Sequence, residues 1–572
     1  MLPPGREGRI RDPTNISDVS LTSITVAQPI ARGPDNSKAN VTLWRILIAA
    51  ACVAMLVGTP LPHLDSDAAL FGQIAKNILD TGEWLTLSHP MYKDWVVDKP
   101  PLTFWIMAVS LWLGGQTDSA LRLWHILLSI LLVYVVYRIA RLDGREEEAL
   151  LAALLVATFQ QVFYYSMAPQ HDVPVTLFLA LAFSAYLTYR REGRWWWTVL
   201  GGVWIALATL TKGILWPVAF SGIAVLDSLV AWWGGERPPW RLRHILAGAA
   251  VFVLLAAPWF VIGVVRQGPP FVHVFLFEEN SIGRLAHSYM GPGLVTLHSY
   301  FQLLFAYIPL LMVGMLPWTG LLPGAVLEGW RSLRSGPPAV RLCAVWFGAF
   351  FAAVSISHGD RIIRYLLPCY PPLAVLAGRF LAGALDARRR LQTAAIISLL
   401  IGLPIMLAAL WLAMGYSPHD MRFYLPLVLP MLALFSVTIL AFAVLALLGR
   451  GRQAVAAAVV GSLLSYLAVY VMLMEHWERL WPWPEMSATV DRLYRPGDRV
   501  VVVGGYSAET NFLAYWTRAQ VEPVDETAFA AAWRRQRVFA LLAPDLVARL
   551  KPQPTPIVLL RTPMGWNLVT NR

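Results

Sequence analysis

Acids and bases recur in this chain at the places where its apolar runs break. The stretch LPHLDSDAALFGQIAKNILD (61–80) carries Asp65 and Asp67 just where the first long apolar run ends. Asp98-Lys99 follows in DWVVDKPPLTFW, His171-Asp172 in APQHDVP and Lys212 in LTKG. FLFEENSIGRLAHSY gathers Glu278, Glu279, Asn280, Arg284 and His287, and SHGDRIIRYLLP supplies His358, Arg361, Arg364 and Tyr365. A single loop carboxylate or arginine is as a rule merely solvated; several of them in apolar, proline-flanked loops point to a site. Lys99, Lys212, Arg284 and Arg361 have the chemistry to hold a phosphate, the arginines through two parallel hydrogen bonds. Asp67 and Asp172 have the chemistry to orient or deprotonate a nucleophile. Such a set suits glycosyl transfer from a lipid-phosphate sugar. There the bond from C1 to the phosphate oxygen breaks, and cations neutralise the departing phosphate as the sugar gains oxocarbenium character.

The elements that must position these residues are set by the solvent the chain needs. Of 572 residues, 57% are hydrophobic and 14% charged, too much apolar surface for a water-soluble core. The 25 tryptophans suit the membrane–water interface. Apolar runs predict thirteen spans, at 43–63, 119–141, 146–165, 173–190, 195–212, 214–234, 243–265, 299–322, 340–356, 365–385, 391–415, 423–449 and 454–474. With the N-terminus inside, the alternate short loops carry Arg138/Arg141/Arg145, Arg190/Arg191/Arg194, Arg237/Arg241/Arg243, Arg331/Arg334/Arg341, Arg388/Arg389/Arg390 and Arg450/Arg452. That is the positive-inside pattern, and it accounts for the net charge of +11 without a nucleic-acid partner. The reading is therefore a multi-pass membrane protein with a cytoplasmic N-terminus.

Residues 1–42 read as a disordered cytoplasmic tail, 43–475 as the transmembrane catalytic unit and 485–572 as a small periplasmic α/β domain. In the latter, DRVVVVGG reads as a strand, FALLAPDLVARL as strand then helix, and TPIVLLRTPMGWNLVTN as a strand pair turning at Met564-Gly565. Gly504-Gly505 lacks the spacing of a nucleotide loop and reads as a tight turn. In the first outer loop, 64–118, Phe71, Ile74, Ala75, Ile78 and Leu79 share one helical face and Gln73, Lys76, Asn77 and Asp80 the other. This predicts an amphipathic helix lying in the interface, with Asp67 capping its N-terminus. Leu102–Gly115 is too short to span and should lie on the surface or dip in partway. Cys52, Cys343 and Cys369 have no paired spacing and read as packing thiols.

The motifs DSDAALFGQIAKNILDTGEWL, DKPPLTFW, HDVP, TKG, EENSIGRLAH and RYLLPCYPPLAVLAG resemble the bacterial GT-C glycosyltransferases of the protein-O-mannosyltransferase-like group, and within it the lipid A aminoarabinose transferase family. The resemblance spans roughly residues 43–385. It implies an all-α polytopic GT-C fold of about thirteen transmembrane helices, with interfacial helices in the first outer loop and a C-terminal periplasmic α/β domain. It further implies an inverting transfer from a polyprenyl (undecaprenyl) phosphate sugar to a periplasmic acceptor, foremost lipid A phosphate, by a protein expected to be monomeric.

Carried over by position, the resemblance makes Asp67 and Asp172 the catalytic acids. It places Asp98, Lys99, Lys212, Glu279, Asn280, Arg284, His287, Arg361 and Tyr365 on the donor phosphate or the substrates. No cofactor is certain from it; for a divalent metal ion the candidate ligands are Asp67, Asp98, His171 and His287. The chain departs from the pattern in having Ala68 after Asp67 where the usual pair is Asp-Glu, and Leu70 where the aminoarabinose transferases carry arginine. These departures bear on the sugar and the acceptor rather than on the reaction class. A phosphate acceptor needs no general base, whereas a hydroxyl acceptor would, with Asp67 as the candidate. The alternatives are a protein or other glycoconjugate O-glycosyltransferase of the same fold, a lipid-linked-substrate transporter or flippase, and a non-catalytic scaffold. Against the transporter stand the lack of internal repeats and the gathering of polar residues at one face rather than at the midplane.

Overall fold

Within a bilayer a backbone can satisfy its own polar groups as a helix, and every regular element among the described residues up to Leu493 is helical. The computed structural model describes residues 36–61, 66–89, 91, 96–237, 239–275, 305–357, 362–415, 425–480, 482–504, 508–550, 552–562 and 565–572. The first ten helices are α1 Asn36–Val57, α2 Ser66–Thr81, α3 Leu102–Gly114, α4 Asp118–Asp143, α5 Glu146–Thr158, α6 Gln160–Ser166, α7 Asp172–Glu192, α8 Trp196–Lys212, α9 Leu215–Trp233 and α10 Leu242–Gln267. Longer helices follow at Pro338–Ile356, Tyr370–Asp386, Arg388–Gly415, Leu425–Leu447 and Gly451–Leu480. The first begins inside the segment read as tail, whose residues 1–35 lie outside the described residues.

Among the described residues ten helices are long and apolar enough to cross a membrane, and twelve spans result if each of two bent pairs counts as one. The bends correct two expected spans. The run at 146–165 turns by 62° at Phe159, between α5 and α6, and the run at 299–322 breaks by 119° between Tyr307–Gly314 and Thr319–Ser335. The two breaks meet: Trp318 Nε1 donates to Thr158 Oγ1 at 3.0 Å. Broken helices are tolerated at membrane depth where other protein covers them, and both residues are fully buried.

The one expected span not among these twelve, 195–212, is α8, which is 17 residues long, an axial rise of about 26 Å. It begins just after α7 ends, and its last residue, Lys212, pairs with Asp172 at the start of α7. α8 therefore returns along the whole length of α7. It also crosses α10 closely: a Cβ on Gly202 would stand 2.2 Å from Gly248 O, so glycine is what permits this approach.

On the face away from Asp67, two of the arginines assigned to loops are buried in an ion network. Arg190 Nη1 lies 2.5 Å from Asp227 Oδ2, and Arg341 Nε lies 3.4 Å from Asp227 Oδ1. Both arginines also contact Glu236. Tyr186 donates to Asp227 at 2.7 Å, and Asp227 is fully buried.

The C-terminal strands are β1 Arg499–Val503, β2 Val521–Val524, β3 Val538–Leu542, β4 Ile557–Arg561 and β5 Asn567–Thr570, in spatial order β2-β1-β3-β5-β4. β1 runs parallel to β2 and β3, and β5 antiparallel to β3 and β4, with Val500 opposite Val521 and Ala540 opposite Val569. Side-chain alternation divides the strands between two cores. Val501, Val503, Ala540 and Val569 pack with Phe529 and Trp533. Val500, Val502, Leu541 and Leu568 join a cluster that runs on through Tyr515 and Trp483 to Ile74 and Ile78 of α2 and Phe104 of α3. The sheet unit thus shares a hydrophobic core with the first outer loop.

This corrects the reading of α2. Its apolar face is buried as expected, but its other face is only partly open to water: Asp80 is exposed, while Gln73 is 3% exposed and packed against the C-terminal unit. α3 matches its expectation better, being a short apolar helix that starts directly after Pro100-Pro101, with Trp112 and Leu113 each 73% exposed.

Candidate active site

Asp67, Asp172, Lys212, Arg364 and Tyr365 come from four separate stretches of the chain and meet at one end of the helix bundle. Asp67 lies within the first turn of α2 rather than capping it. Its Oδ2 accepts from Arg364 Nη1 at 2.5 Å, and the same nitrogen lies 3.2 Å from Gln170 Oε1. Arg364 Nε stands 3.7 Å from Asp172 Oδ2, while Asp172 Oδ1 accepts from Lys212 Nζ. The Lys212 ammonium lies 4.9 Å from the centre of the Tyr365 ring. Asp172 occupies the first turn of α7 and Lys212 the last turn of α8, the ends at which each helix dipole favours that sign of charge. The side chains are 6% exposed at Asp172, 12% at Lys212, 23% at Arg364 and 32% at Asp67. The cluster is therefore closed at Asp172 and opens toward Asp67.

Local folding holds each member in place. Arg364 sits in the 3₁₀ turn Ile363–Cys369, which is tied to the bend after α5 by Gln161 Nε2 donating to Ile363 O at 2.8 Å. Arg122 on α4, 1% exposed, donates through Nη1 to Thr59 O at 3.0 Å and to Leu61 O, and through Nε to Met167 O at 3.0 Å. One guanidinium thus fastens both backbone approaches, the one ahead of α2 and the one ahead of α7. His125 Nδ1 adds a contact to Ser166 O at 3.0 Å.

Lys99 pairs with the neighbouring Asp98, and both are largely buried just ahead of the Pro100-Pro101 turn. His171 is 1% exposed, edge-on to Phe71 and Phe104 at centroid distances of 4.5 and 5.2 Å. Its Nε2 has no hydrogen-bond partner among the described residues. Burial, then the positive charges of Lys99, Lys212 and Arg364, push its imidazole well below the usual histidine range.

Three cations and three carboxylates thus stand close together in a partly closed setting. Such a site can take up an anion by exchange of partners and keep a carboxylate beside it. The expected Glu279, Asn280, Arg284, His287 and Arg361 lie outside the described residues, as does Asp65. Among the described residues no group of three or more His, Cys, Asp and Glu side chains gathers as metal ligands. Of the metal candidates, Asp67 and Asp98 face cations and His171 is enclosed by aromatic rings.

Sequence reasoning gave the phosphate role to Arg361, named Arg364 among the loop bases without a role, and passed over Arg122. The signals were present: Arg364 opens the motif RYLLPCYPPLAVLAG, and Arg122 is a charge inside an apolar run, where charge is costly. Gln170, Phe71 and Phe104 carried no signal beyond proximity to the motifs.

Residues 98–262 match the family described as dolichyl-phosphate-mannose-protein mannosyltransferase. The undecaprenyl phosphate-alpha-4-amino-4-deoxy-L-arabinose arabinosyl transferase of Yersinia pestis (strain Pestoides F) is 27% identical over 378 residues, which cover 62% of this chain and 63% of that protein. Its counterpart in Serratia proteamaculans (strain 568) is 28% identical over 391 residues, 66% of either chain. These matches span just under two thirds of the relatives' own length. Among solved structures, ArnT from Cupriavidus metallidurans bound to undecaprenyl phosphate shares the fold with a TM-score of 0.75 at 20% identity, over 94% of this chain and 99% of that one.

Proposed function

We propose that this chain, a multi-pass membrane protein of the GT-C glycosyltransferase fold, is an inverting transferase. On this reading it moves an aminoarabinose-like sugar from a polyprenyl phosphate, undecaprenyl phosphate foremost, to lipid A phosphate at the periplasmic face of the inner membrane. The observation that carries the reading is Arg364 set between Asp67 and Asp172, with Lys212 and Tyr365 completing the cluster. The named activity of the Yersinia and Serratia relatives supports the substrate class. The arginine-rich alternate loops support a cytoplasmic N-terminus, and with it a periplasmic site.

In the reaction an acceptor oxygen attacks C1 of the sugar as the bond from C1 to the donor phosphate oxygen breaks. The electron pair leaves with undecaprenyl phosphate, and the configuration at C1 inverts. Lys212 and Arg364 stabilise the negative charge that grows on the departing phosphate, exchanging contacts with Asp172 to do so. Asp67, on the open side, orients the acceptor or the sugar. A phosphate acceptor arrives ionised, so no proton has to be removed. Cations held by the chain itself supply charge neutralisation among the described groups. α3, with Trp112 and Leu113 exposed, offers an apolar surface on which a prenyl chain could pack.

A protein O-glycosyltransferase is the second reading, favoured by the description of the family matched over residues 98–262. The two are separated by incubating the purified protein with undecaprenyl phosphate-linked aminoarabinose and either lipid A or peptide acceptors. The proposal expects release of free undecaprenyl phosphate and a mass gain on lipid A phosphate. Transfer to peptide alone would favour the second reading, and no transfer to any acceptor would overturn both.

A further inference from the structure

The face of α2 that bears Ser66, Gln73 and Lys76 is matched to one face of the helix Ala508–Trp516. Asn511 and Tyr515 are four residues apart and so lie on the same side of that helix. Asn511 O accepts from Gln73 Nε2 at 2.6 Å, and Asn511 Nδ2 donates to Ser66 Oγ at 3.2 Å. Tyr515 O accepts from Lys76 Nζ at 2.6 Å, and the Tyr515 ring centre lies 3.8 Å from the same ammonium. Gly72 makes room for that ring, since a Cβ there would stand 2.5 Å from Tyr515 Cε2.

A buried ammonium is costly unless its donors are met. Here a carbonyl and an aromatic face meet them; burial still pulls the ammonium down to about 8, with Asp118 and Asp80 offsetting part of that. The contact joins two parts of the chain more than 400 residues apart, and Ser66, at one end of it, is the immediate neighbour of Asp67. No other expected role is open to Lys76: it lies on the helix that carries Asp67 but nine residues further on, about 14 Å along the axis.

We propose that Lys76 is a positioning residue, through which the C-terminal α/β unit sets the rotation and height of α2 and so holds the Asp67 carboxylate against Arg364. The inference rests on the reading of Asp67 as part of the transfer site. A rigid helix passes a displacement at Lys76 on to its first turn, and a shift of 1 Å at a reacting group is enough to cost about a hundredfold in rate.

The test uses the full-length protein in nanodiscs, with undecaprenyl phosphate-linked sugar as donor. Lys76→Met should lower kcat about tenfold to a hundredfold, with the donor KM and the thermal midpoint near those of the wild type. Lys76→Arg, which keeps the charge and a donor, should recover part of the loss. In an Asp67→Glu background, which keeps a carboxylate, Lys76→Met should cost much less than it does alone, because both changes act through one group. Should Lys76→Met fold poorly, Tyr515→Leu removes the ring while leaving the carbonyl, and a smaller loss of kcat is expected. Unchanged kcat in both variants, a loss confined to KM, or full additivity with Asp67→Glu would overturn the proposal while leaving the transfer reaction intact. A wild-type protein that binds undecaprenyl phosphate yet transfers nothing would remove the functional reading first, and the positioning role with it.

Discussion

Arg364 Nη1 and Asp67 Oδ2 lie 2.5 Å apart although 297 positions separate them in the chain. The same guanidinium reaches Asp172 through Nε at 3.7 Å. One planar cation therefore offsets the mutual repulsion of two acids brought together from the first turns of two helices, and it does so with directed donors that a point charge lacks.

Arg364→Lys should expose that difference. The charge remains, but one ammonium cannot face both acids in the geometry of a guanidinium. Turnover should fall about 10²- to 10³-fold, the scale for removing one preorganised charge-stabilising donor, with a thermal midpoint close to wild type. Steady-state assays on the purified variant decide it: near-normal kcat would mean that Arg364 is not part of the site.

Lys212 and Asp172 form a nearly closed pair, and such pairs respond asymmetrically to mutation. Lys212→Met alone leaves a buried carboxylate short of a partner and should destabilise the fold by about 3–5 kcal/mol, whereas Lys212→Met with Asp172→Asn should regain much of that. Arg364 softens the single-variant loss, since it also faces Asp172. Both proteins should be inactive. Thermal unfolding in detergent measures the stability difference, and an active double variant would exclude both residues from the chemistry.

Acid should weaken the outer face before it affects the rest. Burial lowers His89 from 6.5 to about 4, and burial with the neighbouring cations holds His171 below 6.5 as well. Below pH 6.5 the unfolded chain binds protons at these positions that the folded chain does not, so stability is complete above 6.5 and falls as pH drops below it. By pH 5 the loss should reach up to about 2 kcal/mol for His89, and His171 adds to it in the same direction. Thermal midpoints from pH 8 to pH 5 test this: His89→Gln should flatten the descent, and an unchanged slope would mean that His89 is already solvated.

Local pattern made much of the architecture legible. The apolar runs located the helices because a span of lipid demands about twenty apolar residues wherever it occurs. Strand, strand-helix and strand-pair segments of the C-terminal sheet could be read because alternation and turn residues are local properties too. The two broken helices were not legible, since the composition of a bent span matches that of a straight one and the bend is set by what covers it. The face of α2 bearing Gln73 and Lys76 was assigned to water for a related reason. Its polar spacing is the same whether its partner is solvent or Asn511 and Tyr515.

The residues themselves determined that this chain is built to cross a membrane, and they pointed to Asp67, Asp172 and Lys212, which the fold brings together. Residue type and order suffice for such conclusions, because hydropathy and charge act over a few neighbouring positions. Tertiary structure alone decided which cation serves which carboxylate, giving the central place to Arg364, and that Arg122 fastens both approaches to the site. It also decided that the C-terminal sheet unit packs on the helix carrying Asp67. These pairings span tens to hundreds of residues, and at ångström range the partner of a charge is chosen by how the helices pack.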